Sequence, residues 1–139
     1  MRTGFTMPEI LVVLCVAAAF TLTALPALLG MRDRITVRLA AADAARTLAD
    51  ARSMALSASR RTAVRIDTAG NTMTVVAGAD TIRTLRLDTY GVRLATTRDS
   101  IAFGPTGIGW GAATATITLS RGSASTALAV SRIGRIRRA

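Results

Sequence analysis

The sequence predicts an α+β fold: a long N-terminal helix, membrane-spanning over its first half, packed against a C-terminal antiparallel β-sheet domain. Three observations carry this. From Ile10 to Met31 the chain runs for 22 residues without a charge. From Arg32 to about Ser59 apolar residues recur at three- and four-residue spacing, with alanine dominant. After Arg60 the period changes to short β-type runs separated by turn residues.

The first element is the apolar run. A helix rises about 1.5 Å per residue, so roughly 20 residues cross the hydrocarbon core of a bilayer and this run is long enough to span. A secretory signal is the competing reading. It is disfavoured by the length of the run, by the lack of a small-x-small cleavage site after it, and by Glu9 at its start, where a signal peptide carries positive charge. The arginines Arg32, Arg34 and Arg38 lie beyond the run and only Arg2 precedes it, so charge counting by itself would invert the topology.

The second element continues the helix. Ile35, Leu39, Ala42, Ala45, Leu48, Met54 and Ala55 form the expected apolar stripe, with Asp43, Arg46, Asp50 and Arg52 off it. One helix from Met7 to about Ser59 is therefore expected, kinked at Pro26. Its small alanine face allows a sheet to approach closely.

The remaining elements are strands, expected at residues 62–66, 72–76, 81–87, 92–96, 100–103, 113–120 and 126–131. Turns are expected at 69–71, 78–80 and 121–123, where Gly, Asn, Asp and Ser cluster. The glycine-rich stretch from Gly104 to Gly111 lacks the Lys-Ser/Thr ending of a phosphate loop and opens no helix. Its Trp110 can stack on a base, although capping the small core or resting on the sheet is the commoner fate of such a residue.

Composition narrows the function. Aromatic residues make up 4% of the chain, so its core must be built mainly from Ala, Val, Leu and Ile. All 18 basic residues are arginine and only 8 residues are acidic, and the resulting net charge of +10 predicts attraction to polyanions. The single cysteine, Cys15, precludes an internal disulfide. The chain has no histidine, which excludes a Ser-His-Asp triad, a Cys-His dyad and a Cys/His zinc site. The aspartates are scattered, no catalytic constellation forms, and neither enzymatic activity nor a cofactor or metal is expected.

The start of the chain is more specific. A short basic leader ends in Gly4, and Phe5-Thr6-Met7-Pro8-Glu9 leads into the apolar run. A carboxylate at the edge of a membrane helix is costly and points to function. This pattern resembles the class III signal of type IV pilins and pseudopilins. The resemblance implies cleavage by a prepilin peptidase between Gly4 and Phe5 and N-methylation of Phe5. It also implies an assembly role for Glu9, facing the amino terminus of a neighbouring subunit. Pro26 falls where many pilins carry a helix-kinking proline. The implied parts are a leader at 1–4, a transmembrane and filament-core helix at 5–31, an amphipathic continuation at 32–60 and a β-rich domain with a basic tail at 61–139.

The chain closes with Arg132-Ile133-Gly134-Arg135-Ile136-Arg137-Arg138-Ala139. Four of these eight residues are arginine, against about one expected from the chain average. A solvated basic end, blunting a strand edge, is one reading. Nucleic-acid binding is the other, because arginine clusters hold phosphates without regard to sequence. Phe103-Gly104-Pro105-Thr106-Gly107 and the later Gly134-Arg135-Ile136-Arg137 are similar to the C-terminal half of the FimT/GspH family of minor pilins and pseudopilins, and closest to FimT. In FimT-like members a Gly-Arg-x-Arg motif is described as a DNA-binding element. The resemblance thus implies Gly134, Arg135 and Arg137 as DNA-binding residues, with Arg132 and Arg138 added by proximity. The implied partners are other pilins, the prepilin peptidase, the inner membrane before assembly, and DNA, expected double-stranded and bound without sequence preference. The implied setting is a single-pass protein of a bacterial inner membrane with a periplasmic domain, later part of a pilus serving natural transformation. A GspH-like minor pseudopilin of a type II secretion system is the alternative.

Overall fold

The computed structural model describes residues 4–111 and 113–138, and for Thr23 the backbone alone. The chain divides into two compact units, Met1–Arg32 and Asp33–Ala139. The helix α1 (Met7–Ser57, 51 residues) supplies nearly all of the described part of the first unit and the opening of the second. It begins after Thr6, with Pro8 in the first turn, where no amide donor is required. It ends where Ala58 and Ser59 donate to Met54 and Leu56, and Ser59 turns left-handed at φ +47°. Pro26 lies inside it.

In the first unit every large apolar side chain described from Ile10 to Met31 is exposed, Leu11 and Phe20 by 60% and 71%. A helix apolar all round needs lipid or other helices to cover it. It is the one helix among the described residues that is long and apolar enough to cross a membrane. The hydroxyl of Thr21 is satisfied by the Ala17 carbonyl at 2.8 Å, so it adds no open polar group to the span.

Among the described residues the second unit holds nine strands in two antiparallel sheets. β1 (Thr62–Asp67), β2 (Thr72–Ala77) and β3 (Asp80–Arg86) form a meander, with β5 (Ser100–Phe103) and β6 (Gly109–Trp110) on the other side of β1. The second sheet runs β4 (Arg93–Thr96), β7 (Ala115–Arg121), β8 (Ala124–Val130), β9 (Ile136–Arg138). β4 and β5 are consecutive in the chain yet belong to different sheets. A 3₁₀ turn, Asp88–Tyr90, precedes β4. Asn71, left-handed at φ +49°, ties the two sheets, accepting the Leu94 amide on its side-chain oxygen at 2.9 Å.

One core joins the helix to both sheets. The helix contributes Val37, Ala40, Ala41, Ala44, Leu48, Ala51 and Ala55, all buried at i, i+3, i+4 spacing. This corrects the expected stripe: Leu48 and Ala55 lie on it, but Ile35 and Leu39 are exposed. The physical reason is size. Alanines let the strands approach α1 closely, so the large side chains Phe103, Met73, Leu87, Ile117, Leu119 and Leu128 come from the sheets and loops.

Polar groups clamp the same helix. Asp33 pairs with Arg121 at 2.9 Å and Asp50 with Arg83 at 2.9 Å. The Tyr90 hydroxyl donates to Asp43, and Arg52 Nε donates to the Gly107 carbonyl at 2.8 Å. The bond to Asp43, helped by desolvation, raises the Tyr90 phenol above its ordinary pKa.

Candidate functional sites

The N-terminal site lies in the first unit. The leader before Gly4, with Arg2, lies outside the described residues. Gly4 and Phe5 are exposed and precede the helix, Phe5 by 79%. Glu9 sits in the first helical turn and reaches back to Thr6, whose amide and hydroxyl lie 3.4 and 3.5 Å from its Oε2. Thr6 is the residue before the helix and Glu9 its third residue, which is the spacing of a capping box. The carboxylate also meets the positive end of the helix dipole. Sequence reading treated Glu9 as an assembly group only; the Thr-x-x-Glu spacing already contained this second, local role. Phe5, Glu9, Ile10, Val13 and Leu14 surround an apolar depression of about 260 Å³.

The C-terminal site lies in the second unit, where three segments meet. Ser131–Arg135 forms a tight turn: the Gly134 amide donates to the Ser131 carbonyl and Ser131 N to the Arg135 carbonyl, each at 2.9 Å. The Arg135 amide donates to the Ser131 hydroxyl at 3.1 Å. Gly134 is buried at φ +74°, and a Cβ there would stand 2.5 Å from the Gly107 carbonyl oxygen and 2.9 Å from Arg52 Nε. Packing alone therefore requires glycine at 134. The Gly109 amide donates to the Arg132 carbonyl at 2.8 Å, which stitches the glycine-rich loop to the same turn.

The predicted arginines do not share one face. β9 pairs Arg137 with Ala129 and Arg138 with Leu128, so these two lie on opposite faces of the second sheet's edge strand. Arg135 instead lines a groove of about 750 Å³ along α1, together with Arg46, Arg52, Leu56 and Ile136. Arg132, Arg135, Arg137 and Arg138 are all exposed, and none forms an ion pair among the described residues. Residues 100–139 contain five arginines and no acid. Arg121 pairs with Asp33 across the fold, and the other four arginines of this stretch have no ion-pair partner among the described residues. Sequence reading missed Arg46 and Arg52 as companions of Arg135, because only the fold brings residues so far apart in the chain to one groove.

Trp110 does not cap the core. It is 57% exposed on β6 and lies against Gly104, where a Cβ would stand 3.1 Å from the indole Cε3. Ile108 and Ile133 beside it in the chain and across the Gly109–Arg132 bond are 49% and 63% exposed.

No family model matches the sequence, and no curated protein matches it at a significant level. Solved structures do. The type IV minor pilin FimU of Pseudomonas aeruginosa aligns in two crystal forms with TM-scores of 0.64 and 0.62 at 19% identity. The alignments cover 75% and 73% of this chain and 88% and 91% of FimU. The minor pseudopilin EpsH from the Type 2 Secretion System of Vibrio cholerae aligns with a TM-score of 0.59 at 14% identity, over 74% of this chain and 95% of EpsH. A long N-terminal helix followed by antiparallel sheets is thus the shared architecture, and this chain has the α+β fold of type IV minor pilins and minor pseudopilins.

Proposed function

We propose that this chain is a minor type IV pilin that binds DNA through its C-terminal arginines and serves DNA uptake in natural transformation. The observation that carries the reading is the acid-free stretch 100–139, with Arg132, Arg135, Arg137 and Arg138 exposed and without ion-pair partners among the described residues. Such a cluster attracts the phosphate backbone from any sequence, and each contact releases counterions, so affinity falls steeply with salt.

In this reading the precursor sits in the inner membrane through residues 5–31 with its domain in the periplasm. A prepilin peptidase cuts between Gly4 and Phe5 and methylates the new amino terminus of Phe5. Glu9 then pairs with the amino terminus of a neighbouring subunit as the apolar helix moves from lipid into a filament core. A buried carboxylate needs such a cation, because unpaired it costs several kcal/mol or more. The exposed apolar surface of Ile10–Met31 supports an all-helix environment of this kind.

The test is DNA binding by the full chain in a non-ionic detergent across a salt series, beside the double variant R135Q/R137Q. Wild type is expected to bind, and the variant to lose affinity with a salt slope shallower by about 0.9 for each phosphate contact removed. Equal binding by both removes the two arginines as the receptor. Absence of binding at moderate salt favours the second reading, a minor pseudopilin of a type II secretion system, which the likeness to EpsH supports.

A further inference from the structure

We infer that the surface built by the glycine-rich loop and the C-terminal turn takes unpaired bases, with Trp110 as the stacking platform, so that single-stranded DNA is bound in preference to duplex. This rests on the DNA reading above and replaces the expectation of a duplex ligand. Three observations lead to it. Trp110 is the chain's one tryptophan and is more than half exposed, although the domain is poor in aromatics and its core would bury one. Ile108, two residues before it, and Ile133, next to the Arg132 that Gly109 bonds, are 49% and 63% exposed, so these two joined segments present apolar surface as well as the indole. This surface is fixed to the arginines: the Gly109 amide holds the Arg132 carbonyl at 2.8 Å, and the Arg52 bond to Gly107 anchors the same loop.

The chemistry of this arrangement is specific. Arginines without acidic neighbours hold a phosphate backbone, and an exposed indole beside them offers a flat apolar face to a base. Every base has such a face, which makes the contact tolerant of sequence. In a duplex those faces are hidden in the stack, and only the phosphates remain to be held. A protein partner would have to supply acidic groups of its own to use the arginines, whereas a nucleic-acid strand carries a charge at every phosphate. An unstacked nucleic-acid strand uses both features.

The sole tryptophan makes the test direct. Full-length protein in non-ionic detergent is titrated with a labelled single strand, the matching duplex, and an abasic strand of the same length and charge, reading anisotropy and intrinsic fluorescence together. The single strand is expected to quench Trp110 and to bind more tightly than either other probe. Trp110→Ala is expected to weaken single-strand binding by about tenfold or more, the range of one lost base stack. Its salt slope should stay unchanged, since no phosphate contact is lost, and Trp110→Phe should keep most of the affinity. Unchanged fluorescence at saturation, equal affinity for all three probes, or an unaffected Trp110→Ala variant overturns the inference while leaving phosphate binding intact. Failure of all three probes to bind removes the DNA reading itself. Matching thermal midpoints of wild type and Trp110→Phe establish that the site is compared in folded protein.

Discussion

Replacing Gly134 by alanine separates two explanations for the glycine in the terminal motif. If glycine is there to let the backbone approach a phosphate, the substitution weakens DNA binding and leaves stability alone. The structure argues for packing instead. The left-handed backbone at φ +74° costs an alanine about 1–2 kcal/mol, offset by about 0.5–1 kcal/mol from the stiffer unfolded chain. The new Cβ would also stand 2.5 Å from the Gly107 oxygen and 2.9 Å from Arg52 Nε, so the Arg52–Gly107 hydrogen bond must break or the turn must move. A hydrogen bond from a charged donor contributes about 1.5–3 kcal/mol. The total is about 3 kcal/mol. Gly78 is the control, with a similar φ of +68° and nothing within 4 Å of its Cβ position, so Gly78→Ala should cost about 1 kcal/mol or less. In a unit of this size about 1 kcal/mol moves the midpoint by roughly 5 °C. Calorimetry of the full chain in detergent should therefore place Gly134→Ala about 15 °C below wild type and about 10 °C below Gly78→Ala. Equal midpoints for the two variants would refute the packing argument, and weakened DNA binding at an unchanged midpoint would restore the phosphate explanation.

Two further variants test how the domain is held. Tyr90→Phe removes the hydrogen bond to Asp43 and should cost about 1 kcal/mol at neutral pH. Because the native phenol titrates above its unfolded value, wild-type stability should be intact below about pH 10 and decline as pH rises through the native pKa. Tyr90→Phe should lack that alkaline step, read as the difference between the two unfolding midpoints across pH 9–12, an interval set by the ordinary phenol value of about 10. Thr62→Val replaces a buried hydroxyl that has no hydrogen-bond partner among the described residues with a methyl group of similar shape, and should raise stability by about 1 kcal/mol, seen as a higher unfolding midpoint.

Much of the fold was legible because its signals are local. The uncharged run, the change of period after Arg60 and the turn residues placed α1 and seven of the strands within a few residues of their observed bounds. What was not legible depends on partners distant in the chain. Ile35 and Leu39 outweigh alanine in any apolar count, yet the sheets select the alanine face and leave both outside. β9 is three residues of Ile-Arg-Arg, which has no alternation to read and exists because β8 offers an open edge. β6 is a Gly-Trp pair attached to β5 in the same way. At the terminal site the arginines were visible as a cluster, but their division between two faces of β9 and a groove on α1 follows from register alone.

The distribution of charge argues for where a polyanion would settle on the second unit. Three aspartates of the helix are engaged with the sheets and their connections: Asp33 with Arg121, Asp43 with Tyr90, Asp50 with Arg83. Asp88 pairs with Arg86, which lowers its carboxyl below the ordinary range. The acids thus lie before residue 100, most of those in this unit next to a partner, and half of the chain's net +10 falls in residues 100–139, which hold none. Exposed charges farther apart than about 8 Å are screened at physiological salt, so neighbours decide the local potential and the overall total does not. An anion on the meander sheet meets arginines whose field is already reduced by carboxylates. An anion on the terminal turn meets Arg132 and Arg135, with no carboxylate in the same segment, and Arg52 beside Arg135 in the groove, which donates to the Gly107 carbonyl. A basic composition alone would attract a polyanion anywhere on the domain; under the proposed DNA reading, the segregation of the acids favours the turn beside Trp110.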